Sequence, residues 1–176
     1  MVKTKALIVP LVLLMVIIVI FFSVRSKRSM KVAEIGSAVQ NFKVTDMNNN
    51  KISLSDLKGS VLFVNFWATW CGSCVEELPN VERLFRSLSG NSSFKMITIL
   101  YKDNGQRALG YMQQNGYTFP IYLNPDDSAA KIFGITGVPE TFIIDKKGIL
   151  RDKVLGPAEW DSPQAISSFQ ALTKEP

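Results

Sequence analysis

From Ala6 to Val24 every position is apolar except Pro10 and Ser23, a run of 19 residues without a charge. As a helix at ~1.5 Å per residue this stretch is ~29 Å long, the thickness of a bilayer's hydrocarbon core. Helices of soluble domains keep a polar face, so residues 1–24 are expected to be a short stub and a transmembrane anchor. Residues 25–35 are polar and basic and read as a linker. The rhythm then changes. Phe42–Asp46 alternates with strand period, 48–50 is turn chemistry, and Ile52–Leu54 returns as a second strand. Ser55 is expected to cap a single helical turn ended by Gly59. Val61–Trp67 is almost continuously apolar, the pattern of a strand buried on both faces.

After residue 71 the spacing becomes helical. Val75, Leu78, Val81, Phe85 and Leu88 recur at steps of three and four, Gly90 stops the run, and Pro79 inside it predicts a kink. Phe94–Tyr101 reads as a second buried strand, Gln106–Asn115 as a helix, Phe119–Leu123 as a short strand and Ser128–Phe133 as a helical turn or two. Thr141–Ile144 is a strand, and Ile149–Leu155 returns across the turn at 145–148 as a hairpin. Ser162-Pro163 then opens a C-terminal helix that runs to about Leu172. This order predicts an α/β domain over 36–176, a mixed central sheet flanked by helices.

Charge changes the picture at the N-terminus alone. The net charge of +5 arises from 20 Lys and Arg against 15 Asp and Glu, and six of the basic residues precede residue 32 with no acid among them. Residues 32–176 have 14 basic and 15 acidic side chains, a net of −1. Such a domain has no electrostatic footprint for nucleic acid. A cleaved signal peptide is the rival to an anchor, because Lys3 and Lys5 form a positive n-region. The segment 23–31 has no A-x-A-like site, so an uncleaved anchor is expected. Lys3, Lys5 and the terminal amine before the span face Arg25, Lys27, Arg28 and Lys31 after it. That count leans towards a domain inside the cytosol.

The chemistry rests on two cysteines, in Trp70-Cys71-Gly72-Ser73-Cys74. They follow a buried strand and open a helix, and adjacent helical turns bring them within disulfide reach. Cys71 lies where unpaired N–H groups and the helix dipole favour a thiolate, which makes it the attacking sulfur. Cys74, one turn inward, is placed to resolve a mixed disulfide. With two Cys and no His in the chain, a structural zinc site lacks ligands, and Val75 stands where haem attachment requires His. Two inert thiols are the bland alternative, and a copper(I) dithiolate module is a reading from another functional class.

The segment from Val64 to Cys74 resembles the active-site strand and turn of the thioredoxin superfamily. More narrowly it is similar to the membrane-anchored cytochrome c maturation thioredoxins, the ResA, CcmG and TlpA group. The resemblance runs from about Ile35 to Leu172. It includes the leading hairpin with Leu54-Ser55-Asp56-Leu57-Lys58-Gly59, then Glu77-Leu78-Pro79, and Gly137-Val138-Pro139-Glu140-Thr141. It implies a thioredoxin-like fold with an N-terminal β-hairpin extension. Cys71 becomes the surface nucleophile, Cys74 the buried resolving thiol, and Glu77 the acid that handles its proton. Glu76 points about 100° away and serves as the foil. Pro139 matches the cis-proline facing the disulfide, with Trp70, Val138 and Glu140 lining the substrate groove. A peroxiredoxin is the nearest rival enzyme, but its P-x-x-x-T-x-x-C needs Pro and Thr where this chain has Val64 and Ala68.

The resemblance further implies a protein-disulfide reductase with no bound cofactor and no metal, facing the extracytoplasmic side or periplasm against the charge count. Its expected partners are a disulfide-bearing protein, an apocytochrome c above all, a membrane electron donor, and the cytoplasmic membrane through residues 6–24. A general extracytoplasmic disulfide reductase and a reductant for copper-site maturation remain open alternatives. Gly72-Ser73 lacks the proline that strongly reducing thioredoxins carry there, which leaves the direction of net electron flow open.

Overall fold

The computed structural model describes residues 12–20 and 31–176, in two units divided between Lys31 and Val32. In the first unit residues 12–20 are helical (α1), with apolar side chains exposed throughout. The predicted span 6–24 extends on both sides into residues outside the described ones. Among the described residues no helix is long and apolar enough to cross a membrane.

The second unit is built on a seven-stranded sheet. Its strands are β1 (Lys43–Asp46), β2 (Lys51–Ser53), β3 (Val61–Trp67), β4 (Phe94–Leu100), β5 (Ile121–Leu123), β6 (Glu140–Ile144) and β7 (Leu150–Leu155). Their spatial order is β2-β1-β5-β4-β3-β6-β7. β3 lies parallel to β4 and antiparallel to β6, so the sheet is mixed as expected. Every residue of β3 is buried. Alternation splits them between two cores: Val61, Phe63 and Trp67 face one, and Leu62, Val64 and Phe66 face the other. The first core is closed by α2 (Gly72–Leu88), α3 (Gly105–Asn115) and α5 (Pro163–Lys174), and the second by α4 (Ser128–Phe133). β1 and β2 form the predicted hairpin, which joins the sheet at β5.

Several boundaries differ from expectation, each for a local reason. The turn after β2 is a 3-10 helix over Leu54–Leu57 that opens at Ser53 rather than Ser55. The Asp56 carboxylate accepts from the Ser53 N–H at 2.9 Å, which satisfies a donor at the turn's start. β5 begins at Ile121, two residues late, because Pro120 has no N–H to give a ladder. Residues 32–35, drawn as linker, belong to the second unit: the Ala33 N–H donates to the Ile132 carbonyl at 2.7 Å. α2 runs through Pro79 without ending.

Candidate active site

β3 carries the chain to Trp67, and a short turn through Thr69 and Trp70 leads into α2. Cys71 is the N-cap of that helix, with extended backbone, and it is joined to Cys74 by a disulfide with 5.2 Å between Cα atoms. Cys71 is 7% exposed and Cys74 0%, so an incoming thiol or disulfide reaches Cys71 first. The Cys74 N–H points at the Cys71 sulfur from 3.2 Å, one of the unpaired donors a helix start supplies. Ser73 Oγ lies 3.6 Å from the same sulfur.

The turn before the cysteines is held from outside itself. The Thr69 N–H donates to Asp103 Oδ2 at 2.6 Å, and the Trp70 indole N–H donates to the Lys102 carbonyl at 3.1 Å. Burial pushes the Asp103 carboxyl up, but the hydrogen bonds from Thr69 and Asn104, with Arg107 nearby, outweigh it and hold it below the usual carboxylate range. Trp70 is 55% exposed beside Cys71, a large apolar surface kept still by its one polar atom. Asp103 and Lys102 follow β4, more than 30 residues from the turn they hold.

Opposite the disulfide, the Val138–Pro139 peptide bond is cis. The Val138 carbonyl oxygen lies 3.4 Å from the Cys71 sulfur, and the Pro139 carbonyl accepts from the Gly156 N–H at 2.9 Å. The structure thus sets the Val138–Pro139 edge against Cys71, with Trp70 next to Cys71 in the chain and its indole on Lys102.

Glu140 does not join them in a groove. It is 3% exposed and turned back onto its own loop, where Oε1 accepts from the Thr136 N–H at 3.1 Å and the Gly137 N–H at 3.2 Å. Its other oxygen has the Lys153 ammonium at 3.3 Å as its ion-pair partner. The expectation of a groove-lining carboxylate is corrected to that of a buried brace for the loop before Pro139. The reason is depth: all five residues of β6 are buried, so a side chain at its first position has no exposed face to occupy.

Glu77 lies on α2 one turn beyond Cys74 and is 1% exposed, whereas Glu76 is exposed. A solvated helix-face carboxylate is therefore excluded for Glu77. Its Oε1 accepts from the Trp160 indole N–H at 2.5 Å and the Ala158 N–H at 3.1 Å, and its Oε2 from Asn65 Nδ2 at 3.4 Å. Asn65 Nδ2 also donates to Thr141 Oγ1 at 2.8 Å, linking β3 to β6 beneath the disulfide. Burial raises the Glu77 carboxyl above its ordinary value, and the three donors pull against that rise. A carboxyl so placed can exchange a proton with a buried thiol on its own helical face. Sequence reasoning misses Asp103, Trp160, Asn65 and Lys153. Trp160 alone leaves a trace, as an aromatic in an otherwise polar loop.

Residues 35–153, more than half of the sequence, match the AhpC/TSA family. The chain belongs to this family. Within it, the chain is 31% identical over 123 residues to the thiol-disulfide oxidoreductase ResA of Bacillus thuringiensis, covering 70% of each. It is 30% identical over 121 residues to ResA of Bacillus subtilis, covering 69% of this chain and 67% of that one. The fold is similar to that of StoA from Bacillus subtilis, with a TM-score of 0.61 over 78% of this chain and 100% of that one at 24% identity. This AhpC/TSA member is a thiol–disulfide oxidoreductase of the ResA type, with a thioredoxin-like fold and protein disulfides as its substrate class. The Cys71–Cys74 pair supplies the two-electron couple that such exchange requires.

Proposed function

We propose that the chain reduces the disulfide of an apocytochrome c before haem attachment. In this reading it works on the extracytoplasmic face of the cytoplasmic membrane, tethered through residues 6–24. The observation that carries the reading is the buried carboxyl of Glu77 one helical turn beyond the inner cysteine. Glu77-Leu78-Pro79, Pro139-Glu140-Thr141 and the leading hairpin, which match the maturation group, support it.

The order of steps is set by access and proton affinity. In the reduced protein the Cys71 thiolate attacks one sulfur of the substrate disulfide. A mixed disulfide forms and the first substrate thiolate leaves and takes up a proton. Cys74 then gives its proton to Glu77 and attacks the Cys71 sulfur, and the second substrate thiolate departs. Two electrons have passed to the substrate, and the Cys71–Cys74 disulfide is the product. Trp70 and the Val138–Pro139 edge bind the extended substrate segment, whose backbone can add as a strand. A membrane electron donor returns the pair to dithiol, and no bound cofactor takes part.

Deleting the gene tests the substrate. Holocytochrome c should fall, an added small thiol should restore it, and a Cys74→Ser variant should trap apocytochrome c as a mixed disulfide. Unchanged cytochrome in a strain with no second such protein would remove this substrate and favour a copper-site subunit or a general reductase role. Topology is tested separately. A reporter active only outside the cytosol, fused after Pro176, should be active in the membrane fraction, and activity of a cytosol-only reporter would overturn the placement.

A further inference from the structure

Between β7 and α5 the chain makes a loop, residues 156–162, that is tied to one edge of α2 at successive steps of three residues. Glu77 accepts from the Ala158 N–H at 3.1 Å, Asn80 donates to the Ala158 carbonyl at 3.4 Å, and Arg83 pairs with Asp161 at 2.6 Å. The loop begins at the cis-proline, through the Gly156 N–H on the Pro139 carbonyl. Its side chain Trp160 is 6% exposed, and the ring stands edge-on to Phe63 with centroids 5.0 Å apart. Packing therefore aims the indole N–H at one place, Glu77 Oε1. Donor and acceptor are both buried, so the bond joins an indole N–H to a carboxyl group inside the fold.

We infer that Trp160 is a positioning residue of the reductase, whose indole N–H holds the Glu77 carboxyl in the ionised form that takes the proton of Cys74. The inference rests on Glu77 being the base for Cys74. Burial by itself favours the protonated acid, which cannot accept a proton, and a hydrogen bond donated to the carboxylate opposes that effect. The groups facing Glu77 are few. They are Asn65 from β3, with Thr141 of β6 behind it, and the Ala158 N–H and the Trp160 indole from the loop, while Cys74 lies buried one turn earlier on its own helix. No charged side chain pairs with it among the described residues. The indole is thus one of three donors, and the one a substitution can remove without changing the backbone or any residue of β3 or β6. Losing a hydrogen bond to a charged acceptor is worth about one to two pH units in the acceptor's titration.

The test is the pH dependence of mixed-disulfide resolution in the full-length reduced protein. One equivalent of Ellman's disulfide caps Cys71 and releases the first chromophore, and attack by Cys74 releases the second, so stopped-flow absorbance separates the two steps. Trp160→Phe should move the midpoint of the second step up by about 1–2 pH units, slowing it about 10- to 100-fold at pH values below the wild-type midpoint. The alkaline plateau and the first step should stay within about twofold. Glu77→Gln should abolish that titration, and adding Trp160→Phe to it should change nothing more. An unaltered profile in Glu77→Gln would overturn Glu77 as the base. A profile altered in Glu77→Gln but unmoved in Trp160→Phe would overturn the role of Trp160 alone. Should Trp160→Phe fail to melt cooperatively, benzothienylalanine at position 160, introduced by ligation, keeps the ring shape without the N–H and is read by the same criterion.

Discussion

Replacing Asp103 with Asn should loosen the turn that presents Cys71, and its size can be worked out from the contacts. The Asp103 side chain is 1% exposed, with Oδ2 accepting from the Thr69 N–H at 2.6 Å and Oδ1 from the Asn104 N–H at 2.7 Å. Arg107, at 3.7 Å, is 66% exposed and adds little. Asn keeps the shape and one acceptor but sets an NH2 group against the other N–H. Losing a hydrogen bond to a charged group costs about 1.5–3 kcal/mol, and a stranded buried donor about 1–3 kcal/mol. These two costs describe overlapping events, so about 2–3 kcal/mol is expected, a fall in Tm of about 5–10 °C for a domain of this size.

The sign with pH is set by the depressed carboxyl. Its stabilisation is full above the unfolded value of about 3.9 and is lost as the pH falls through the lower folded value. Thermal melts of both proteins should therefore differ fully at pH 7 and converge in acid, as the wild type loses what the variant never had. Well below either Tm, Cys71 should also react more slowly in the variant, because Trp70 and Cys71 follow Thr69 directly. A gap below about 2 °C at pH 7, or a gap undiminished at the lowest pH where both remain folded, would refute the account.

Two further outcomes are expected. In the reduced protein, alkylation of single-cysteine variants should show Cys71 as the fast thiol, since Cys74 is fully buried; a faster Cys74 would reverse the assigned roles. Glu140→Gln keeps an acceptor for the N–H groups of Thr136 and Gly137 but loses the charge facing Lys153, whereas Glu140→Ala loses both. Stability should fall in the order wild type, Gln, Ala, with Ala costing about 2–4 kcal/mol; chemical denaturation checks this, and equal effects of the two variants would remove the brace.

Glu140 marks how far the sequence alone reaches. Its position beside Pro139 suggests a substrate contact, yet every residue of β6 is buried and the carboxylate turns onto the N–H groups of Thr136 and Gly137 and the Lys153 ammonium, none of which the local pattern announces. Cys71 and Cys74 are legible because their chemistry depends on short-range order: a buried strand, a turn, and a helix that starts between them.

What the sequence determined by itself is what propensity and periodicity control within about 20 residues. The β3 strand, the α2 helix, the cysteines at its start, and the order of elements that yields a mixed sheet all belong there. Tertiary structure decided everything that depends on residues far apart in the chain meeting in a dry interior. Whether Glu77 faces water or an indole is settled by a loop about 80 residues later, and whether the Cys71 turn is firm is settled by a carboxylate 34 residues later. Proton affinity and access are properties of those surroundings, because the cost of charge depends on which donors and how much water lie within a few ångström. No local pattern encodes that neighbourhood, so the residues that do the chemistry could be read from the sequence, while those that tune it emerged only from the packed fold.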